Sequence, residues 1–168
     1  IIGSRAAAYQ LSPATIERYN AYAGALPTPD AMTGAWTRLT VGALSASRLS
    51  SLLAAHDEAV AAAAAAGRKA DYEKALGHLD DADAAIAAAR TLRDRLKATV
   101  DVTTLDQWLA RSKDYDRALR ALYVVVRRGA SAATIREAMQ KEQAAKDRLP
   151  PDTRSLVLIM ADIGQGGI

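Results

Sequence analysis

Ala75-Leu76-Gly77-His78-Leu79-Asp80-Asp81-Ala82-Asp83-Ala84-Ala85-Ile86-Ala87-Ala88-Ala89-Arg90-Thr91-Leu92-Arg93-Asp94-Arg95-Leu96 is the stretch whose reading decides the fold. Ala75, Leu79, Ala82, Ile86, Ala89 and Leu96 recur at the three-to-four spacing that places them on one face of an α-helix. Small residues alternate with large ones along this face. The pattern predicts a helix from about Lys69 to Ala98. Because alanine separates the large residues along the face, a neighbouring helix should come near, toward the lower end of the usual ~8–10 Å.

Toward the C-terminus, Thr99 to Thr104 reads as a turn. Thr104 with Gln107 has the spacing of a capping box and starts the next helix. Its seam is Leu105, Trp108, Ser112, Tyr115, Leu119, Leu122 and Val126, a heptad pattern. Gly129 caps that helix, and Ser131 begins another through about Arg148. Leu149-Pro150-Pro151 breaks the chain, and Asp152 caps the apolar segment Leu156–Met160. That segment is apolar nearly all round, so it is expected to be covered or to be a contact site.

Toward the N-terminus, Gly67 is placed to cap a helix running from about Ala31 to Ala66, loosened around Thr40-Val41-Gly42. Leu39, Ala46, Leu49, Leu53, His56, Val60 and Ala63 form its seam. Pro27 and Pro29 impose extended backbone before it, and Ser12-Pro13 opens a short helix to about Ala23. The expected fold is all-α: an up-and-down antiparallel bundle of long Ala-rich helices with shorter flanking helices. It forms a single helical domain over 1–168. Residues 1–30 give an N-terminal helix and Pro-rich linker, 31–128 the main long-helix bundle, and 129–168 the C-terminal helices.

Composition explains why helices dominate. The 168 residues include 39 alanines, no phenylalanine and two tryptophans. Alanine is the best helix former, but its methyl buries little area, so a few large anchors must supply most of the packing energy. With no cysteine, a disulfide framework, a thiolate zinc site and a cysteine nucleophile are excluded. No run reaches the ~18 apolar residues of a membrane span. The excess of alanine, and of arginine over lysine, points to a bacterial protein. The opening Ile1-Ile2-Gly3-Ser4-Arg5 reads as the exit of a removed signal or anchor, which places the compartment slightly on the extracytoplasmic side.

The sequence also repeats itself. Asp71-Tyr72-Glu73-Lys74-Ala75-Leu76-Gly77-His78-Leu79 and Asp114-Tyr115-Asp116-Arg117-Ala118-Leu119-Arg120-Ala121-Leu122 share a D-Y-acid-base-A-L pattern. The pattern resembles the start of the second helix of a tetratricopeptide repeat. The resemblance implies stacked helical hairpins that bind protein, although that family repeats at a shorter interval and carries a signature in its first helix that is missing here.

Candidate chemistry is thin. His56 sits on an apolar stripe and reads as a core histidine bonded to a backbone or hydroxyl group. Leu53 and Ala75 stand three residues before the two histidines, so the Glu-x-x-His pairs of a bundle metal site are absent. His78 with Asp80, Asp81 and Asp83 reads as a solvated face, since those residues spread around the helix. No nucleophile elbow appears. Gly164-Gln165-Gly166-Gly167 follows a helix rather than leading into one, which is wrong for a phosphate cradle. Convergence of either histidine with two carboxylates from other helices would be needed for an enzyme.

The distinctive surface feature is basic. Arg90, Arg93 and Lys97 share one helix face, and Lys113, Arg117, Arg120 and Arg127 share another, forming a candidate face for an anionic partner. The interleaved acids Asp94, Asp114 and Asp116 and the lack of stacking aromatics argue against nucleic acid. The expectation is therefore no enzyme, no cofactor and no metal. A non-catalytic interaction or scaffold domain fits best: the soluble or extracytoplasmic part of a larger membrane-associated bacterial protein, meeting a protein partner or itself, and membrane only through a segment outside this chain. The alternatives are a helical bundle binding a small apolar ligand beside Trp36, Trp108 and Tyr123, and a tetratricopeptide-like protein-binding module.

Overall fold

The structure is a computed structural model that describes residues 28–98 and 100–149, together with Glu17. The chain divides into two compact units, Ile1–Thr37 and Arg38–Ile168. Four helices are described: α1 (Pro29–Arg68), α2 (Tyr72–Leu96), α3 (Thr103–Arg127) and α4 (Ala132–Lys146). The described part of the chain is an all-α, four-helix bundle with no β-strand. The expected helix from Ser12, the residue Thr99 and the segment Leu156–Met160 lie outside the described residues.

In the first unit, α1 opens earlier than the expected Ala31. Pro29 stands at the first helical position, where its missing N–H leaves nothing unsatisfied. Thr28 caps it, its hydroxyl accepting from the Ala31 N–H at 3.2 Å. The helix then continues without interruption through Thr40-Val41-Gly42.

In the second unit, α1 and α3 are parallel and α2 runs against both. Parallel register shows in two ties of equal sequence separation: His56 to Asp116, and the Tyr123 hydroxyl to the Ala63 carbonyl at 3.4 Å. Antiparallel α2–α3 register shows in the pairs Arg93–Asp106, Arg120–Asp83 and Arg127–Glu73. The helix pairs in closest backbone approach are α2 with α3 and α3 with α4.

The α2 face read from sequence is buried throughout: Ala75, Leu79, Ala82, Ile86, Ala89 and Leu96, with Ala85 beside them. On α1, Leu49, Leu53, His56 and Ala63 are buried while Ala46 and Val60 are half-buried; the Leu39 side chain lies outside the described residues. On α3 the register differs from expectation. Leu105, Leu109, Ser112, Tyr115, Asp116, Leu119 and Tyr123 are buried, whereas Trp108, Leu122 and Val126 are half-buried. The core is two apolar clusters. One gathers Leu49, Leu53, Ile86, Ala89, Leu96, Leu105 and Leu109. The other gathers Ala63, Ala66, Ala75, Leu79, Tyr115, Leu119, Tyr123 and Ala145.

The helix ends correct two further expectations. Gly67 does not cap α1; it lies inside the helix. The left-handed capping position is Ala70, at φ 59°. The Ala70 N–H donates to the Gly67 carbonyl and the Asp71 N–H to the Ala66 carbonyl, the paired bonds of a Schellman motif. The same motif closes α3, where Gly129 holds φ 66° as expected and Gly129 and Ala130 donate to Val126 and Val125. At the start of α3, no side chain of Thr104 or Gln107 forms the anticipated box. Asp101 accepts instead from the Thr103 N–H at 2.8 Å and its hydroxyl at 2.6 Å. These bonds to the ionised form hold the Asp101 carboxyl below its ordinary value. Asp71 and Ser131 cap α2 and α4, accepting from Lys74 and Thr134.

Gly67 is needed for a different reason: Tyr123 lies on it. A Cβ there would stand 2.6 Å from the Tyr123 ring edge and hydroxyl, while one on Gly77 would meet nothing within 4 Å. Gly67→Ala is therefore expected to cost about 1–3 kcal/mol through overpacking, and Gly77→Ala to add roughly 0.5–1 kcal/mol through helix propensity. Urea unfolding of both variants checks the contrast. In the same assay Ala70→Gly should stabilise by about 1 kcal/mol, because it relieves a side chain in the left-handed region.

Candidate functional site

Between the two apolar clusters lies a polar layer of three buried side chains, His56 from α1 with Ser112 and Asp116 from α3. His56 is 4% exposed and Asp116 1%. The seven-residue step from Leu49 to His56 on α1 matches that from Leu109 to Asp116 on α3, so the helical repeat brings the two polar groups to one level. His56 Nε2 lies 3.1 Å from Asp116 Oδ2 and 3.3 Å from Oδ1. Its Nδ1 lies 2.9 Å from Asp57 Oδ1, on a side chain that is 71% exposed. The indole of Trp108 meets the imidazole edge-on, with ring centroids 5.4 Å apart.

This geometry specifies a protonation state. A neutral imidazole has one N–H and one lone pair, and a lone pair cannot bond to a carboxylate oxygen. With both nitrogens on carboxylates, the ring is the doubly protonated cation. Burial pulls its pKa down, but the bonds to Asp116 and then Asp57, with their negative charges, outweigh burial and raise it to about 9. The expected backbone or hydroxyl partner of His56 is thus replaced by a carboxylate from another helix. Only one such carboxylate comes from a different helix; the other is the adjacent residue on α1.

His78 stands apart from this layer, 3.8 Å from the exposed Asp81. Asp80 and Asp83, grouped with it in the sequence, turn to Arg120 at 2.8 and 2.9 Å. No three acids or histidines among the described residues gather in a way that could hold a metal ion. No described helix is long and apolar enough to cross a membrane.

The basic residues are distributed along the α2–α3 seam. Arg93 pairs with Asp94 and Asp106, Lys97 with Asp94, Arg117 with Asp114, Arg120 with Asp80 and Asp83, and Arg127 with Glu73. Arg90 and Lys113 have no ion-pair partner among the described residues. Arg90 lines a groove of about 460 Å3 with Arg93, Leu109 and Ala110. Lys113 lines one of about 310 Å3 with Asp83, Arg117 and Arg120. A third groove of about 480 Å3 runs between α3 and α4 over Ala118, Ala121, Val125 and Ala138.

Of the three aromatic positions considered for a ligand, Trp36 is 73% exposed, and the other two pack against the protein itself. Trp108 rests on His56, and Tyr123 rests on Gly67 and Tyr72, with ring centroids 6.0 Å apart for the tyrosine pair. Burial, together with the charge of Glu142 on α4, raises the pKa of the Tyr115 and Tyr123 phenols.

Asp116 is the residue that sequence reading missed. It was grouped with the surface acids of the basic face, yet it occupies an apolar stripe, 105-109-112-116-119-123. An acid in such a stripe, matched by a histidine in the stripe of another helix, was the available signal. The chain matches no protein-family model, no curated protein and no solved structure.

The His56 pKa makes stability depend on pH. The folded value lies above the ordinary 6.5, so the pair's contribution is fully present below about pH 6.5 and is lost as pH rises through about 9. Urea unfolding across that range should show a decline on the order of 3 kcal/mol, absent from His56→Gln. Asp116→Ala should cost about 3–5 kcal/mol at neutral pH by stranding the buried cation.

Proposed function

We propose that this domain is a non-catalytic helical interaction or scaffold module that meets an acidic protein partner across the α2–α3 seam. The observation that carries the reading is how the polar chemistry is used. Both nitrogens of His56, the buried histidine, donate to carboxylates, which leaves no lone pair to act as a general base. Five of the seven basic residues of the candidate face are engaged with acids of the bundle. Of those seven, Arg90 and Lys113 are the two with no ion pair among the described residues, and they lie on neighbouring turns of facing helices. An acidic side chain laid across them would gain charge-assisted bonds without breaking an existing pair.

Support for the small-ligand alternative lies only in the α3–α4 groove, which is within the size range of ligand sites but open to solvent. The tetratricopeptide reading receives less. The two copies of the repeat stand in different settings, Asp71 capping α2 while Asp114 lies inside α3, and Glu73 exposed where Asp116 is buried.

The test compares capture of native partners by the wild-type domain, by Arg90→Glu with Lys113→Glu, and by Arg95→Glu with Arg111→Glu, which alters exposed cations away from both grooves. Loss of about tenfold in capture, roughly 1.4 kcal/mol, confined to the first variant is the expected result. Unchanged partners in that variant would rule the seam out.

A further inference from the structure

The polar layer does more than fill space between two apolar clusters. Of the helices of the second unit, α1 is the one without a close backbone approach to another. It is held by side chains: Leu49 and Leu53 on one cluster, Ala63 and Ala66 on the other. Its polar ties to α3 are the His56–Asp116 pair and the 3.4 Å bond from the Tyr123 hydroxyl to the Ala63 carbonyl. By contrast, α2 and α3 are stapled through Arg93–Asp106, Arg120–Asp83 and Arg127–Glu73. If one helix is to part from the rest, α1 is the least restrained.

We propose that the His56–Asp116 pair is a proton-operated latch for α1: while the imidazole carries both protons α1 is closed on α2 and α3, and loss of one proton lets α1 swing away at the polar layer with the other three helices intact. The charged groups facing His56 are few. Asp57 approaches from its own helix and Asp116 from α3, where the neighbouring Trp108 is uncharged; the buried residues of α2 are all apolar. Asp116 and Asp57 are the charges that raise the pKa of the ring. The proton leaves from Nδ1, which faces the exposed Asp57 and solvent, while Nε2–H stays on Asp116. What remains is a buried carboxylate with no counter-charge. Such a group is strongly disfavoured unless it can hydrate. Movement of α1 admits water to Asp116, whereas moving α3 would break its ion pairs with α2 and its close approach to α2 and α4. The device is independent of the partner proposed for the α2–α3 seam.

The molecule carries its own reporter. Trp108 touches the imidazole edge, and a protonated imidazole quenches indole emission at contact. Trp36→Phe leaves Trp108 as the sole tryptophan of the two. In that background emission should rise with pH, with its midpoint near the His56 pKa of about 9. Because the chain has no native cysteine, spin labels at Ala54→Cys on α1 and Ala121→Cys on α3, both exposed sites, report helix separation directly. A single distance at about pH 7 should give way at about pH 10, well past the imidazole titration, to a longer, broader distribution with helical circular dichroism retained. With His56→Gln, or with Asp116→Asn should the first variant fold poorly, the distribution should no longer change with pH. An unchanged distance while Trp108 titrates would overturn the latch, as would loss of helical signal together with the distance change, which is global unfolding. Absence of a Trp108 titration would overturn it at the first step.

Discussion

The buried ion pair between His56 and Asp116 is the constraint on which the arrangement of the second unit depends. Removing an imidazolium and a carboxylate from water costs several kcal/mol for each ion, so the pair is not there because it is the most stabilising filling. Its consequence is register. Seams of alanine and leucine are permissive, and a helix displaced by a few residues along such a seam would still bury apolar groups. Displacing α1 against α3 separates His56 from Asp116 and leaves each charge without its partner. That penalty selects one alignment of parallel helices, and the Tyr123–Ala63 tie, one heptad along, then falls into place.

A second device orients α2 against α3, this time at the surface. The acids Glu73, Asp80 and Asp83 lie in the N-terminal half of α2, and their partners Arg120 and Arg127 lie toward the C-terminal end of α3. At the other end the signs exchange, with Arg93 near the end of α2 and Asp106 in the first turn of α3. Charges of this kind sit favourably on the helix dipoles of both partners only when the helices are antiparallel. Each exposed pair contributes little alone. Reversing one helix would juxtapose like charges at both ends, so the pattern discriminates between orientations more than it strengthens the correct one.

How far the sequence could be read follows from these devices. The α2 face was legible because alanine, leucine and isoleucine repeat without competition from polar residues. The α3 face was not, because two stripes overlap there. Leu105, Ser112, Tyr115 and Leu119 belong to both, and the choice between Trp108 and Leu109, or Leu122 and Tyr123, turns on which stripe includes Asp116. Hydrophobic periodicity rejects an aspartate from a core face; only the histidine across the interface makes it acceptable. The same limit applied to Gly67. A glycine near the end of a helix normally reads as its cap, whereas here Tyr123 from α3 claims it, and Ala70 takes the left-handed position.

These observations share one physical origin. A chain in which so many buried positions are alanine gains little energy at each, and each such contact resembles every other. Specificity must then come from the few residues that differ: a tyrosine over a glycine, a histidine on an aspartate, arginines matched to acids by level. Such residues in a conventional core would draw attention as possible catalysts or ligands. In this bundle their hydrogen-bonding capacity is directed to neighbouring helices. On the described surface, Arg90 and Lys113 of the α2–α3 seam stay outside these pairs, each lining a groove that also holds acids of the bundle. The few residues that differ therefore fix the alignment of the helices, and the interaction module proposed above rests on the cations they leave over.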